Sequence, residues 1–524
     1  MSQAQTSLTI AAPGFLGLNT EASQTDLPDG YAQVADNCVI DQRGRIAARK
    51  GLLRVTEGGL ASNEFPATAH CFLGEDGSEV TWTTAGLKVL RCIIGGAFVD
   101  ETPVGATITN PHWQMLTLND KLFFIQKDHT PMYFNHTGGG AGSVVVNTTS
   151  MPRAQCGVSA FGRLWLANTD TDNHQVVYYS SRLDGTDFDT NPPADSGRDS
   201  GSFNVSHYWP TGFDTIQALA AHNGSLIIFG KNNIIIYNNA EGNPAAAPSA
   251  GGITLGDTVG GIGCVARDSV ASTGLDILFL DRTGVRSLGR VIQEKSMPVG
   301  EVSANIRTEL RANIKRQTDA DLEAVRGVYV PSEALYLLSQ ATRGVTYAFS
   351  TAHLDERGAM RVTRWPVSFI MAGCVNNAGD LHLTDLFYGM NQYTGYLDLG
   401  ASYSMRYSTN YLTFGDPSKL KHPKSVSVTV VTAQSNPFNL LTSYDYSGSD
   451  VAQNVSLVGV PAASEYNVAE FGIGEMGAAS VITTKKTNIG GSGSSMRLSI
   501  ETSIQGGEFS IQQITINTLL GRKI

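Results

Sequence analysis

The chain has 524 residues, too many for one compact core, and sets 37 Lys and Arg against 47 Asp and Glu, a formal charge of −10. That sign argues against adhesion to nucleic acid by general surface charge and fits a solubility device. Its 56 glycines and 16% charged residues point to an all-β protein rich in tight turns, and six scattered cysteines without a CxxC pair exclude a zinc or redox motif of that kind.

Residues 1–60 read as an N-terminal arm lying against something else. Short turns at Leu27-Pro-Asp-Gly30, Asp41-Gln-Arg-Gly44 and Arg49-Lys-Gly51 alternate with single apolar residues, and Tyr31–Ala35 has room for one helical turn. The start, Met1-Ser-Gln-Ala-Gln-Thr-Ser7, lacks the basic and apolar blocks of a signal peptide, and no apolar run approaches the ~20 residues that span a bilayer. Assembly in a cytoplasm is therefore expected, and the five glycosylation sequons, Asn135-His-Thr among them, read as chance matches.

From 61 to 400 a hairpin keeps returning. Asn223-Gly224 opens Ser225-Leu-Ile-Ile-Phe229, and a second turn leads into Ile234-Ile-Ile-Tyr237. The same grammar recurs at Glu79–Trp82, Lys121–Ile125, Arg163–Ala167, Leu275–Leu280, Ala334–Leu338 and Asp380–Leu383. Repeats of about 40–50 residues built from short strands are the signature of propeller blades, which must stack to bury a core. The spacing predicts a β-propeller of six to eight blades, seven being the best count. Two polar stretches, 182–217 and 239–263, read as long inserted loops. Val302, Ile306, Leu310 and Ile314 recur every four residues and predict one helix over 302–316, its other faces carrying Arg307, Arg311, Lys315 and Arg316.

Past 401 the pattern becomes strict alternation, as in Ser425-Val-Ser-Val-Thr-Val430. Further strands are expected at Met496–Ile500, Phe509–Ile511 and Ile514–Ile516, so 401–524 reads as a C-terminal β-sandwich-like domain. Gly490-Gly-Ser-Gly-Ser-Ser495 reads as a flexible turn or disordered tip.

A search for chemistry returns little. Gly138-Gly-Gly-Ala-Gly-Ser143 lacks the Gly-Lys-Ser/Thr of a phosphate loop. Asn168, Asp170 and Asp172 have calcium-loop spacing, but Asn173 and Tyr179 stand where a Gly and a bidentate Glu belong. Asp184, Asp187 and Asp189 could supply the carboxylate pair of a glycosidase, though aspartates in such a loop usually form turns. No catalytic, metal or cofactor residue is expected. The densest basic cluster is Arg43, Arg45, Arg49, Lys50 and Arg54, a solvated or adaptor-facing patch or, as the lesser option, a DNA contact.

The order of motifs resembles the tail nozzle, or tail hub, proteins of short-tailed bacteriophages (podoviruses). Gly17-Leu-Asn19 leads to the Leu-Pro-Asp-Gly turn, Ala35-Asp-Asn37 and Arg49-Lys-Gly51; Phe213–Ala220 precedes one hairpin and Gly256-Asp-Thr-Val-Gly-Gly-Ile-Gly263 another. Phe414-Gly-Asp-Pro417 and Leu520-Gly-Arg-Lys523 complete the series, so the resemblance covers most of the chain. It implies a non-enzymatic virion protein without cofactor, forming a hexameric ring that closes the distal tail channel, retains the genome and conducts duplex DNA without sequence specificity during ejection. The partners it implies are the head-to-tail adaptor ring, tail fibres or tailspikes, and the host cell envelope. Two alternatives stand beside it: a propeller enzyme acting on host surface polysaccharide, and a propeller binding module for fibre or receptor docking.

Overall fold

Each of the seven recurring hairpins forms the second and third strands of a separate blade. The computed structural model describes residues 5–523, except 24–26, 62–63, 148–149, 170–173, 192–197, 245, 247–248, 250–251, 294–300, 367–369, 434–435, 448 and 458–480. Blade four shows why such hairpins are legible. Ser225–Gly230 is flanked by Ile216–His222 and Asn233–Asn238, and neighbouring blades cover both of its faces. Leu226, Ile227, Ile228 and Phe229 are therefore all buried, each contributing about 1.5–3 kcal/mol, and the strand reads as an unbroken apolar run. The turn before it sets Asn223 at φ +48° and Gly224 at +73°, the two positive values of a tight hairpin turn.

The blades start at His70–Leu73, Gln114–Leu118, Ala154–Ala160, Ile216–His222, Ala271–Ser272, Val325–Val330 and Ile370–Val375, whose strands line the ring axis. The two polar stretches hold the fourth strands of blades three and four, Gly201–Asn204 and Thr254–Gly260, so neither is wholly loop. A rim strand has neighbours on one side only and needs no apolar run to hold its place. Blade five has three strands, and the chain then passes through three short helices. In the predicted one, a single 3-10 turn at Ala304–Ile306 runs into Arg307–Lys315, and Val302, Ile306, Leu310 and Ile314 are all buried.

Blade seven is completed from the other end of the chain. Its three strands end at Gly389–Tyr393, which pairs antiparallel with Leu52–Glu57. This closes the ring by hydrogen bonds between residues more than 300 positions apart.

The C-terminal sandwich has two sheets. One runs Val481–Asn488, Lys419–Thr432, Phe509–Lys523, Ile46–Ala48, Cys38–Ile40, with Gln5–Ala11 also on the long strand Phe509–Lys523. The other runs Val451–Val455, Phe438–Tyr444, Met496–Ile504, Tyr403–Thr409, Tyr31–Asp36, and a bridge from Asp36 to Arg364 joins it to blade six. Segment 1–60, read as an arm, thus supplies strands to both sheets and to blade seven.

Three local expectations are corrected. Tyr31–Asp36 is a strand and not a helical turn. Pairing with Tyr403–Thr409 and burial of Ala32 and Ala35 outweigh the weak helical tendency of five residues, too few to nucleate a helix. Phe509–Ile511 and Ile514–Ile516 are one 15-residue strand, since the alternation shifts at an irregularity instead of breaking. Gly490–Ser495 is ordered: Asp445 Oδ1 accepts from the Ser494 N–H (2.7 Å) and Ser495 N–H (3.1 Å), and Lys421 exchanges backbone bonds with Gly493.

Candidate functional site

Along the propeller axis lies a cavity of about 390 Å³, touched by every blade through His70, Leu116, Gly157, Ala220, Ser272, Gly327 and Gly373. Glycine stands where the strands converge. A Cβ on Gly327 would lie 2.6 Å from the Ser269 carbonyl and 2.7 Å from the Tyr336 hydroxyl. A buried ion network crosses the cavity. The Asp268 carboxylate lies 2.7 Å from Arg267 and 2.8 Å from Arg326; Arg267 also donates to the carbonyls of Gln155 (2.7 Å) and His112 (3.1 Å). Arg326 donates to Nδ1 of His112 at 3.1 Å, which fits a neutral imidazole: burial, with Arg326 and Arg267 behind it, pushes His112 down to about 4. Burial alone would raise the Asp268 carboxyl, but the two guanidinium charges outweigh it and hold it below the usual range. Neither Arg267-Asp268 nor Arg326 carries a sequence signal. A cavity this small and crossed by side chains cannot pass a duplex, whose major groove alone is about 12 Å wide.

The five predicted basic residues do not form one surface patch. Arg43, Arg45 and Lys50 line a second cavity, about 520 Å³, where the sandwich meets blade six. Arg45 pairs with Asp41 at 2.6 Å and Lys50 with Glu333 at 2.7 Å. Arg49 is 5% exposed, clamped by Asp398 and lying over the rings of Tyr403 (4.3 Å) and Trp365 (5.5 Å). Arg54 pairs with Asp385 at 3.1 Å. Of the five, Arg43 is the exposed one, and no carboxylate lies within ion-pair distance of it among the described residues. Four therefore act as internal struts whose acidic partners lie mostly far along the chain. Arg49→Leu is expected to lower stability by about 3 kcal/mol in urea denaturation and Arg43→Ala by less than about 0.5.

The aspartates of 184–189 turn out to be turn formers. Asp184 caps its own turn through Thr186. Arg198 donates to Asp187 and lies 3.3 Å from Asp189, and its hydrogen bonds outweigh burial to hold the Asp187 carboxyl well below the usual range. A carboxylate held ionised cannot serve as general acid. In the calcium-like spacing Asp170 and Asp172 lie outside the described residues, and Asn168 bonds to Ile216, Gln155 and His174. Among the described residues no group of three or more His, Cys, Asp or Glu is placed to hold a metal.

The sandwich carries a feature absent from the sequence reading. On four adjacent strands the outward side chains fall in three rows of four: Thr9–Thr515–Ser427–Lys486, Ser7–Asn517–Ser425–Asn488 and Ala11–Gln513–Thr429–Thr484. Lys486 is the single charge. Bonds such as Thr429–Thr484 (2.9 Å), Thr9–Thr515 (3.1 Å) and Gln513 Nε2 to Thr515 Oγ1 (3.0 Å) knit the rows together, while Val426, Val428, Val430, Ile514 and Ile516 face the core. Among the described residues both margins of this strip, Gln5–Ala11 and Val481–Asn488, pair on one side only. Ile489 N–H donates to Lys424 C=O and Ala12 N–H to Gln512 C=O. Alternation along the two ladders then turns outward the N–H groups of Thr484 and Lys486 on one margin, and of Ser7 and Thr9 on the other. The Leu8 and Ile10 alternation in Gln5–Ala11 was the available sequence signal for the first margin.

These features define a seven-bladed propeller laced to a β-sandwich. No family model matches the chain, and no curated protein matches its sequence. Among solved structures it is loosely similar to the extracellular domain of a one-component system from B. thetaiotaomicron, at 11% identity and TM-score 0.40, covering 71% of this chain and 43% of that one. It is likewise similar to the WD40 domain of Neurospora crassa Pan2 (10%, TM-score 0.34, 64% and 99% covered) and to an exo-β-1,3-galactanase from Phanerochaete chrysosporium (9%, 0.27, 78% and 96%). The chain thus spans less than half the length of the first of these. The assignment of the fold rests on the sheet topology above.

Proposed function

We propose that the protein is a non-enzymatic structural component of a short-tailed bacteriophage tail, a ring-forming nozzle that closes the distal channel, retains the genome and conducts DNA on ejection. The observation that carries this reading is the polar strip with its single charge, Lys486, and with an open edge at each side among the described residues. Its strands alternate in direction, so the Gln5–Ala11 edge of one copy meets the Val481–Asn488 edge of the next in antiparallel sense. Such head-to-tail contacts make a ring when the rotation between copies closes on itself. Because the propeller axis is blocked, a DNA conduit must lie between copies. A wall of hydroxyls and amides with few cations suits that conduit, since adhesion to DNA grows with each phosphate neutralised. The adaptor ring, fibres or tailspikes and the host envelope belong to the same proposal.

The non-enzymatic part is supported by the ionised state of Asp187 and the turn-forming roles of its neighbours. The test is the copy number of this chain in purified phage particles against the portal, by quantitative mass spectrometry. One copy per two portal subunits is expected; absence from particles, or the ratio of a major capsid protein, would overturn the reading.

A further inference from the structure

The seam that closes the propeller is held at its outer rim by the chain itself, which runs from Leu52–Glu57 of blade seven into blade one. At the inner end, near the axis, nothing covalent joins the two blades among the described residues, and farther out along the seam the apolar contact is small. Ala85, Leu90, Cys92 and Phe98 of blade one meet Met390 of blade seven, with five buried residues the smallest of the molecule's apolar clusters among the described residues. At that inner end two sulfurs face each other. Cys71 lies on the first strand of blade one and Cys374 on the first strand of blade seven; their Sγ atoms are 2.8 Å apart although 303 residues separate them. Two unbonded sulfurs do not ordinarily sit so close, and no other pair among the described residues does. Cys92 lies in the same row of blade one, since Cys71 is opposite Thr81 and Thr81 opposite Cys92.

We propose that Cys71 and Cys374 form a disulfide that latches blade one to blade seven across the ring closure, with a low-molecular-weight disulfide such as oxidised glutathione as oxidant. Cys71 is half-buried and Cys374 buried, so the reagent meets Cys71 first. The Cys71 thiolate attacks the reagent and displaces one thiolate; the Cys374 thiolate then attacks the mixed disulfide at the Cys71 sulfur and displaces the second. Two thiols lose two electrons to the reagent, which leaves as two thiols carrying the two protons. The hydrogen bond with Cys71, and burial after it, raise the Cys374 thiol well above its ordinary range, so the second step is slow and rises with pH; burial does the same to Cys92. On the tail reading, a chain folded among reduced thiols would close the latch once the particle is outside the cell; the chemistry itself does not depend on that reading.

The test uses the isolated full-length chain incubated with oxidised glutathione at pH 8, followed by unfolding, alkylation and non-reducing peptide mapping. Two of the six cysteines should resist alkylation and appear as one Cys71–Cys374 linked peptide. Tm should rise by about 5 °C and fall back on reduction. Cys92→Ser should keep the link and the Tm gain, and Cys374→Ser should lose both. Six alkylatable thiols after oxidation, a Cys71–Cys92 link, or a Cys71–Cys374 link without a Tm gain would each overturn the latch. The map of the native chain decides the question even where a serine variant fails to fold.

Discussion

Asp268→Ala is expected to lower the stability of the folded chain by about 3–5 kcal/mol, seen as a fall in the urea midpoint. The substitution removes one small side chain but leaves Arg267 and Arg326 together on the axis, both largely out of water and without their shared counter-charge. Their attraction to Asp268 in a poorly hydrated cavity is what offsets the cost of desolvating them. The triple change Arg267→Met, Asp268→Leu, Arg326→Met should recover most of the loss, because it removes every charge that the cavity has to hold. A triple variant no more stable than Asp268→Ala would show that the network matters for its geometry and not its charge balance. The pH dependence follows from the same residues. His70 and His112 are both pushed down to about 4, chiefly by burial, so the unfolded chain takes up protons first and stability falls as pH drops from about 6.5 to about 4. The Asp268 carboxyl, held below its unfolded value, contributes stability that is present above about pH 4 and is lost as pH falls further. Asp268→Ala should therefore flatten the lower limb of the stability curve, below about pH 4.

Thr484→Pro should leave the single chain nearly as stable as before, within about 1 kcal/mol, and abolish assembly. The Thr484 N–H points off the open margin of the sheet, so proline removes no backbone bond and costs only the exposed hydroxyl bond to Thr429, and edge positions tolerate it. It does block the incoming strand of a second copy. Thr483→Pro is the internal contrast, since that N–H belongs to the ladder with Val430 and its loss should destabilise the chain itself. Size-exclusion chromatography with light scattering, run beside the native chain at concentrations where the proposed rings are expected, reads both effects. Normal rings from Thr484→Pro would sink the edge-to-edge arrangement.

The contrast between what sequence conveyed and what it hid has a physical basis. Second and third strands of blades are covered on both faces, so Leu226–Phe229 and Ile277–Leu280 announce themselves as apolar runs between turns. Rim strands such as Gly201–Asn204 are half exposed and lack that mark. Leu52–Glu57 was placed in an arm because nothing local shows that its ladder partner lies at Gly389–Tyr393. Arg45, Arg49 and Arg54 looked like a basic patch for the same reason: Glu508, Asp398 and Asp385, which pair with them, are hundreds of residues away. The polar strip was hidden more deeply. Its Ser and Thr residues are unremarkable one strand at a time and become a surface only when four strands are set in register.

The pairing of Gln5 with Leu519 makes the molecule a check on its own synthesis. Gln5–Ala11 emerges from the ribosome about 500 residues ahead of Phe509–Lys523 and has no ladder partner until that strand has been made. A chain cut short before Phe509 would leave Gln5–Ala11 and Lys419–Thr432 without the strand that lies between them. Copies that lack Phe509–Lys523 cannot offer both margins of the strip, so on the proposed arrangement topology alone would keep them out of a ring.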